Sequence, residues 1–198
     1  MRLDRRYFVR PTLEVARALL GCVVHSRTPE GGASGRIVEV EAYLGESDPA
    51  SHAARLRRGR VESMWGPAGI AYVYCSHGVH PMLNVVTEPE GVAGAVLIRA
   101  LEPVTGLALM ERRRNLNDPR RLCSGPGRLC MAMGITLDDH GVDLSLSERL
   151  WIAAGKPPAS VSASGRIGVS RGGEAPWRFF ETGSPFVSAH RRGVPLAP

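Results

Sequence analysis

The sequence predicts an α+β fold, a single compact domain over residues 1–198 with a curved, mainly antiparallel sheet and a few peripheral helices. Three observations carry this. Many short runs rich in Val, Ile and Tyr alternate along their length and are separated by turn residues. Only two or three segments bear helix start and stop signals. No internal repeat and no domain-splitting linker interrupts the 198 residues, a length that suits one domain with a proper core.

Leu13–Gly21 reads as a helix, with Thr12 as N-cap and Gly21 as the stop. Cys22–Arg27 reads as a strand, and Pro29–Ser34 turns it back into a second strand over Arg36–Gly45, a hairpin. A loop over Glu46–Gly69 carries His52, an arginine cluster and Trp65. Strands over about 70–76 and 80–87 flank a turn at His77–Gly78, and Ala95–Leu101 forms another, with Arg99 interrupting its apolar run. Thr105–Arg114 reads as a helix, and Ser124–Gly134 as a helix with proline near its first turn. Trp151–Ala154, Arg166–Ser170 and Trp177–Glu181 read as short strands, and Lys156–Gly165 as a Pro/Ser/Ala loop.

Hydrophobic and charged fractions of 43% and 22% are ordinary for a globular protein. No stretch approaches the roughly 20 apolar residues needed to span a bilayer. Met1–Arg10 is charged and lacks an apolar core, so no signal peptide is expected. Cys22, Cys75, Cys123 and Cys130 show no CxxC spacing, which favours free thiols in a cytosolic protein. Net charge is +6, and the 25 basic residues are 24 arginines and one lysine, Lys156. Arginines cluster at 55, 57, 58 and 60, at 112–114 and at 120–121. An excess of positive charge points to a polyanion partner. An arginine-favouring, GC-rich genome explains the Arg/Lys ratio but not that excess.

The strand Arg36–Gly45 holds the most informative chemistry. By simple alternation Val38, Val40, Ala42 and Leu44 share a core face, and Ile37, Glu39, Glu41 and Tyr43 share the exposed one. Tyr72 and Tyr74 repeat the device on a second strand. HExxH is absent and the cysteines are scattered, so His52, His77 and His80 make a weak metal site. There is no P-loop, no GxGxxG before a helix and no GxSxG elbow. What survives is a carboxylate site: Glu41 as general base beside Tyr43, Tyr74 and His52, aromatic side chains of the kind on which nucleic-acid bases stack. The residues alone equally permit an aromatic-lined core with Glu39 and Glu41 paired to surface arginines.

Seven motifs in register then bear on that choice. Arg36–Gly45, Asp48 with Ser51–His52, Met64–Gly69, Ala71–Tyr74, Leu83–Thr87, Ala95–Pro103 and Leu122–Leu129 closely resemble the alkyladenine (3-methyladenine) DNA glycosylase family. The likeness runs from about residue 4 to 190 and includes Arg166–Val169 and Ser184–Ser188. It implies that Glu41 is the general base that takes a proton from the water attacking C1′ of a flipped nucleotide, and that Arg99 helps hold this water. Tyr43, His52 and Tyr74 match the residues that stack around the extruded base. Asn84 matches the pocket asparagine that excludes the amino group of undamaged guanine. Where the family has a wedge tyrosine at a hairpin tip, this chain has His77, an imidazole that is smaller than a phenol but can still fill the gap left by the flipped nucleotide.

The resemblance therefore implies a monofunctional glycosylase acting on alkylated or deaminated purines in double-stranded DNA and starting base excision repair. It would need no cofactor and no metal, and would be a monomer in a bacterial-type cytoplasm, associated with the nucleoid. The lone Lys156, remote in sequence from the pocket candidates, argues against a Schiff-base lyase step. The reading from another class is a non-catalytic damaged-DNA-binding protein on the same scaffold. A pure binder would need neither a base at Glu41 nor a water-holding Arg99. An RNA-binding or formyl-transfer module fits less well, since no nucleotide-cofactor motif is present.

Overall fold

The long strand that carries Glu39 and Glu41 is the hub of the sheet, because its neighbours change along its length. In the computed structural model, which describes residues 1–188 and 193–196, this strand (β2, Gly31–Tyr43) pairs along one edge with β5 (Ala95–Thr105). Its other edge is shared. The hairpin partner β1 (Val23–Thr28) takes residues 31–36, and β8 (Arg178–Glu181) takes residues 39–41. β3 (Ala71–Ser76) and β4 (His80–Val86) extend the sheet beyond β5, and β7 (Val161–Ser164) and β9 (Val194–Pro195) extend it beyond β8. β6 (Leu150–Ala153) lies on β1. Among the described residues the result is an open, nine-stranded sheet in which every pairing is antiparallel.

A β-bulge on β2 between Ile37 and Val40 marks the point where the neighbour switches from β1 to β8. An extra residue there bends the strand and strengthens its twist, which curves the sheet. It also breaks the alternation expected from sequence. Ile37 packs with Val40 and Ala42 in the main core, whereas Val38 belongs to a separate cluster with Ala100, Phe180 and Val187. The expectation of an exposed acidic face fails as well: Glu39 and Glu41 are both completely buried.

The predicted helix appears as α2 (Thr12–Leu19), after a four-residue α1 (Arg5–Phe8) that the sequence reading did not include. Thr12 is its first residue and not its cap. Its hydroxyl instead bonds Thr87 at 2.8 Å and donates to Glu88 at 2.7 Å, which ties the helix start to the end of β4. α3 (Leu107–Arg114) starts later than expected, because β5 runs on to Thr105 before Gly106 turns the chain at φ +77. α4 (Pro119–Leu122) is short, and α5 (Pro126–Met133) has proline in its first turn as expected. α2 and α5 cover one face of the sheet, and the main core lies between them and β2, β4 and β5.

Two further expectations are corrected. Arg166–Ser170 is not a strand but an irregular segment held by side-chain bonds, and β7 lies inside the stretch read as a loop over 156–165. The 46–69 connection contains three 3₁₀ turns, the longest being Gly59–Trp65. Met64 and Trp65 from that turn pack on Tyr72, Val86 and Ala95, so the connection has a core of its own. Among the described residues, no helix is long and apolar enough to cross a membrane.

Gly21 is where the backbone itself demands glycine. It sits at φ +88 after α2, and a Cβ there would lie 2.2 Å from the carbonyl oxygen of Lys156. Gly21→Ala therefore combines positive-φ strain with a backbone clash, and should destabilise the fold by about 2 kcal/mol or more. Denaturant unfolding of the two proteins checks this, and an unchanged midpoint would contradict the close approach.

Candidate active site

β2, β5 and β8 bring four charged side chains together, all of them buried. Glu39 Oε1 accepts hydrogen bonds from Arg99 Nε at 3.0 Å, Arg178 Nε at 2.7 Å and the Ser188 hydroxyl at 2.8 Å, and its Oε2 accepts from the Ser188 N–H at 2.7 Å. Burial alone would raise the pKa of Glu39, but the guanidinium groups of Arg99 and Arg178 outweigh it and hold the carboxyl below its ordinary value. Pairing with arginines was one of the two readings of these glutamates. The pairing exists, but in the interior and not at the surface.

Glu41 is built differently. Its Oε1 accepts the N–H of Ile167 at 2.7 Å, and its Oε2 accepts the Tyr43 hydroxyl at 2.9 Å and lies 3.1 Å from Arg99 Nη1. A carboxylate offers about four acceptor positions. Three are taken, which leaves Oε1 with one to spare. Tyr43 is held protonated by burial and by the adjacent Glu41 charge, both of which push its pKa up.

All three partners of Glu41, namely Tyr43, Arg99 and Ile167, line a cavity of about 780 Å³. His52, Tyr72, Tyr74 and Asn84 line the same space. The rings of His52 and Tyr74 meet edge-on, 4.6 Å apart, and Tyr72 and Tyr74 lie tilted at 5.5 Å. His52 Nδ1 shares a 2.7 Å hydrogen bond with the Tyr72 hydroxyl. Packing against these tyrosines desolvates the imidazole and, with the nearby Arg55, pulls its pKa below the ordinary value, so the ring is neutral at neutral pH. Burial likewise pushes the Tyr74 phenol up to about 12. Asn84 donates from Nδ2 to the carbonyls of Tyr72 at 3.1 Å and Met82 at 3.2 Å, which turns its carbonyl oxygen away from those groups. His77 stands exposed at the tip of the β3–β4 hairpin and also lines the cavity, with φ +51 and its Nδ1 3.0 Å from the Ser76 hydroxyl. Every residue singled out from sequence thus falls on one cavity or, for Glu41, directly behind its wall.

The sequence reading missed Arg166. This side chain, fully buried, binds both oxygens of Asp48 at 2.6 and 2.7 Å and donates to the carbonyls of Ala42 and Gly172. Its guanidinium lies 4.8 Å from the Tyr43 ring and 4.9 Å from that of Trp177. It fixes the segment whose next residue, Ile167, bonds Glu41. Asp48 also accepts the N–H groups of Leu44 and Ala50, so the clamp joins the end of β2 to the start of the His52 turn. No periodicity marks such a residue, since its partner lies 118 positions away.

The arginine clusters divide. Arg55 and Arg60 line the cavity, and Arg57 stacks over Trp65 at 4.7 Å. Arg113 and Arg114 are engaged within the chain, by Glu30, Thr28 and the Ala132 carbonyl and by the Leu122 carbonyl. Arg120 and Arg121 are exposed.

The site thus consists of a buried carboxylate and arginine at the wall of an aromatic cavity flanked by exposed arginines, and comparison with known proteins specifies the class. The sequence model of the methylpurine-DNA glycosylase family matches residues 6–185. A relative from Chlorobaculum parvum, named "Putative 3-methyladenine DNA glycosylase", is 46% identical over 198 residues, covering 98% of this chain and 94% of its own. Relatives of the same name from Rubrobacter xylanophilus and Bacillus subtilis are 52% identical over 175 residues and 45% over 186, covering 88% and 92% of this chain and 90% and 94% of their own. The chain belongs to the methylpurine-DNA glycosylase family.

The Asp48–Arg166 clamp gives two expected outcomes. Arg166→Met would strand a buried carboxylate, and equilibrium unfolding at neutral pH should register a loss of about 3–5 kcal/mol. Asp48 and Glu39 both have their pKa lowered in the folded protein by their arginines, against the opposing effect of burial. The unfolded chain therefore takes up more protons below about pH 4, the ordinary carboxylate range. Their contribution to stability is present above that value and is lost as pH falls through the folded-state values. Urea unfolding between pH 7 and pH 3 should show this decline, and Asp48→Asn should flatten it; a slope unaltered in the variant would assign the decline to other groups.

Proposed function

We propose that this chain is a monofunctional DNA glycosylase that hydrolyses the N-glycosidic bond of alkylated or deaminated purines of the 3-methyladenine, hypoxanthine and ethenoadenine type, flipped out of duplex DNA. It thereby initiates base excision repair, with residues 1–198 working as one domain. The observation that carries the reading is the state of Glu41: fully buried, one acceptor position open, and all three of its partners on the wall of an aromatic cavity.

In this mechanism Glu41 accepts a proton from a water that attacks C1′, and Arg99 orients that water. The transition state resembles an oxocarbenium ion, so the carboxylate also stabilises the developing positive charge. Tyr43, His52 and Tyr74 stack on the extruded base. Cationic bases such as 3-methyladenine or 7-methylguanine suit electron-rich rings. Neutral lesions such as hypoxanthine leave only when protonated, which adds an acid-dependent limb to their pH profile. Asn84 discriminates against the amino group of guanine, and His77 occupies the space vacated by the nucleotide. Arg55 and Arg60 contribute to phosphate contacts at the cavity mouth. The enzyme acts as a monomer on cytoplasmic, nucleoid DNA and needs no cofactor.

The amines of the chain support the monofunctional assignment. Lys156, the one lysine, is exposed and does not line the cavity. Borohydride should trap no covalent protein–DNA adduct during turnover, and a trapped adduct would contradict hydrolysis by water alone.

Single-turnover assays on duplexes bearing hypoxanthine, ethenoadenine or an alkylated purine test the main reading. Wild type should release the base, and Glu41→Gln should lose at least about 100-fold in rate while still binding the duplex. Tight binding of lesions with no release by wild type would instead assign a damage-binding role.

A further inference from the structure

Water activation by Glu41 and Arg99 leaves Glu39 without a task, although it is fully buried and takes four hydrogen bonds. Of its partners Arg99, Arg178 and Ser188, only Arg99 lines the cavity, so Glu39 is set back from the space where a water would be activated and does not compete as the base. Its route to the reaction runs through Arg99, which it grips at Nε while Nη1 of the same guanidinium lies 3.1 Å from Glu41.

We propose that Glu39 is a positioning residue for base release: it fixes Arg99 and supplies the negative charge that keeps the buried cluster around Glu41 neutral. The inference rests on the glycosylase reading above. Its basis is a charge count around the two carboxylates. Glu41 faces Arg99 from β5, Tyr43 from its own strand, Tyr74 from β3 and the Ile167 N–H from the 166–169 segment. Glu39 faces Arg99, Arg178 from β8 and Ser188 from the C-terminal segment. The two phenols stay protonated, so among the described residues the cluster holds two carboxylates and two guanidiniums. Neutralising Glu39 leaves one positive charge in excess. That excess favours the carboxylate form of Glu41 and weakens it as a base, and it opposes the positive charge growing on the sugar.

The test is the pH dependence of single-turnover base release from a duplex containing 7-methylguanine. This base is cationic and leaves without protonation, so the acid limb reports ionisation of the water-activating carboxylate. Glu39→Gln should bind the duplex as wild type does, lose about tenfold or more in maximal rate, and show an acid limb about one pH unit lower. The double variant Glu39→Gln/Arg178→Met removes one charge of each sign. Its limb should return toward the wild-type position even though its packing is more disturbed. An unmoved limb in the single variant, or a double variant displaced as far as the single, overturns the inference. Should Glu39→Gln fail to fold, Glu39→Asp keeps the charge and shortens the reach; it should slow release with the limb in place, and a displaced limb overturns the inference. Release of no base by wild type would overturn the glycosylase reading and this inference together, an outcome distinct from the others.

Discussion

Arg99 carries a single positive charge and stands, buried at the cavity wall, between two carboxylates, Glu39 and Glu41. Taking ions out of water is expensive, and attraction within a buried cluster offsets this only when the geometry is good and remaining acceptor positions are filled. Here Arg178, Ser188, Tyr43 and the Ile167 N–H do the filling. Each comes from a different part of the chain. β8 must pair with β2 to deliver Arg178, the segment after β7 must return to place Ile167, and the C-terminal segment must reach Ser188 onto Glu39. The assembly of the sheet's second half is thereby coupled to the state of two glutamates on its central strand.

The bulge on β2 belongs to the same constraint. It occurs where β1 gives way to β8, and it sends Val38 to one cluster and Ile37 to another. Alternation in the sequence was enough to identify the strand and to group Glu39, Glu41 and Tyr43. It could not reveal the bulge, because an inserted residue leaves no mark in an apolar run such as Ile37–Val38. Nor could it reveal that the acidic face is covered. What covers it arrives from residues 164–188, and a pattern within one strand carries no information about which distant segment will lie on it.

Arg166 illustrates the other limit. The aromatic cavity was readable because its members sit at short spacings on two strands and one turn, and Arg99 because a charge broke an otherwise apolar strand. Arg166 has neither signal: it lies in an irregular stretch, and what marks it is its bidentate grip on Asp48 and its place between the Tyr43 and Trp177 rings. Both Asp48 and Arg166 fall in motifs shared with the glycosylase family, so the resemblance flagged their positions without supplying their purpose. The misread strand over Arg166–Ser170 has the same origin. Its Ile–Gly–Val core suits a strand, but the Ile167 N–H is claimed by Glu41 and the Arg166 N–H by the Gly173 carbonyl.

The cavity is consequently built on two principles. Its floor is made rigid by a closed set of ionic hydrogen bonds, in which the removal of one member strands a buried charge. Its mouth is formed by the exposed hairpin tip at His77 and by Arg55 and Arg60, which few intramolecular bonds restrain. His77 holds φ +51, a conformation that is uncommon for residues other than glycine and is worth about 1 kcal/mol or more of strain. Gly78 follows at φ +72 in the three-residue turn, 77–79, that joins Ser76 to its strand partner His80. The strain at His77 is therefore the consequence of a tight hairpin that lifts one side chain clear of the sheet. Chemistry fixed at the floor and contact adjusted at the mouth can change independently. On the glycosylase reading proposed above, an imidazole in place of a phenol at the tip changes how a duplex is held open and leaves the carboxylate–arginine floor as it is.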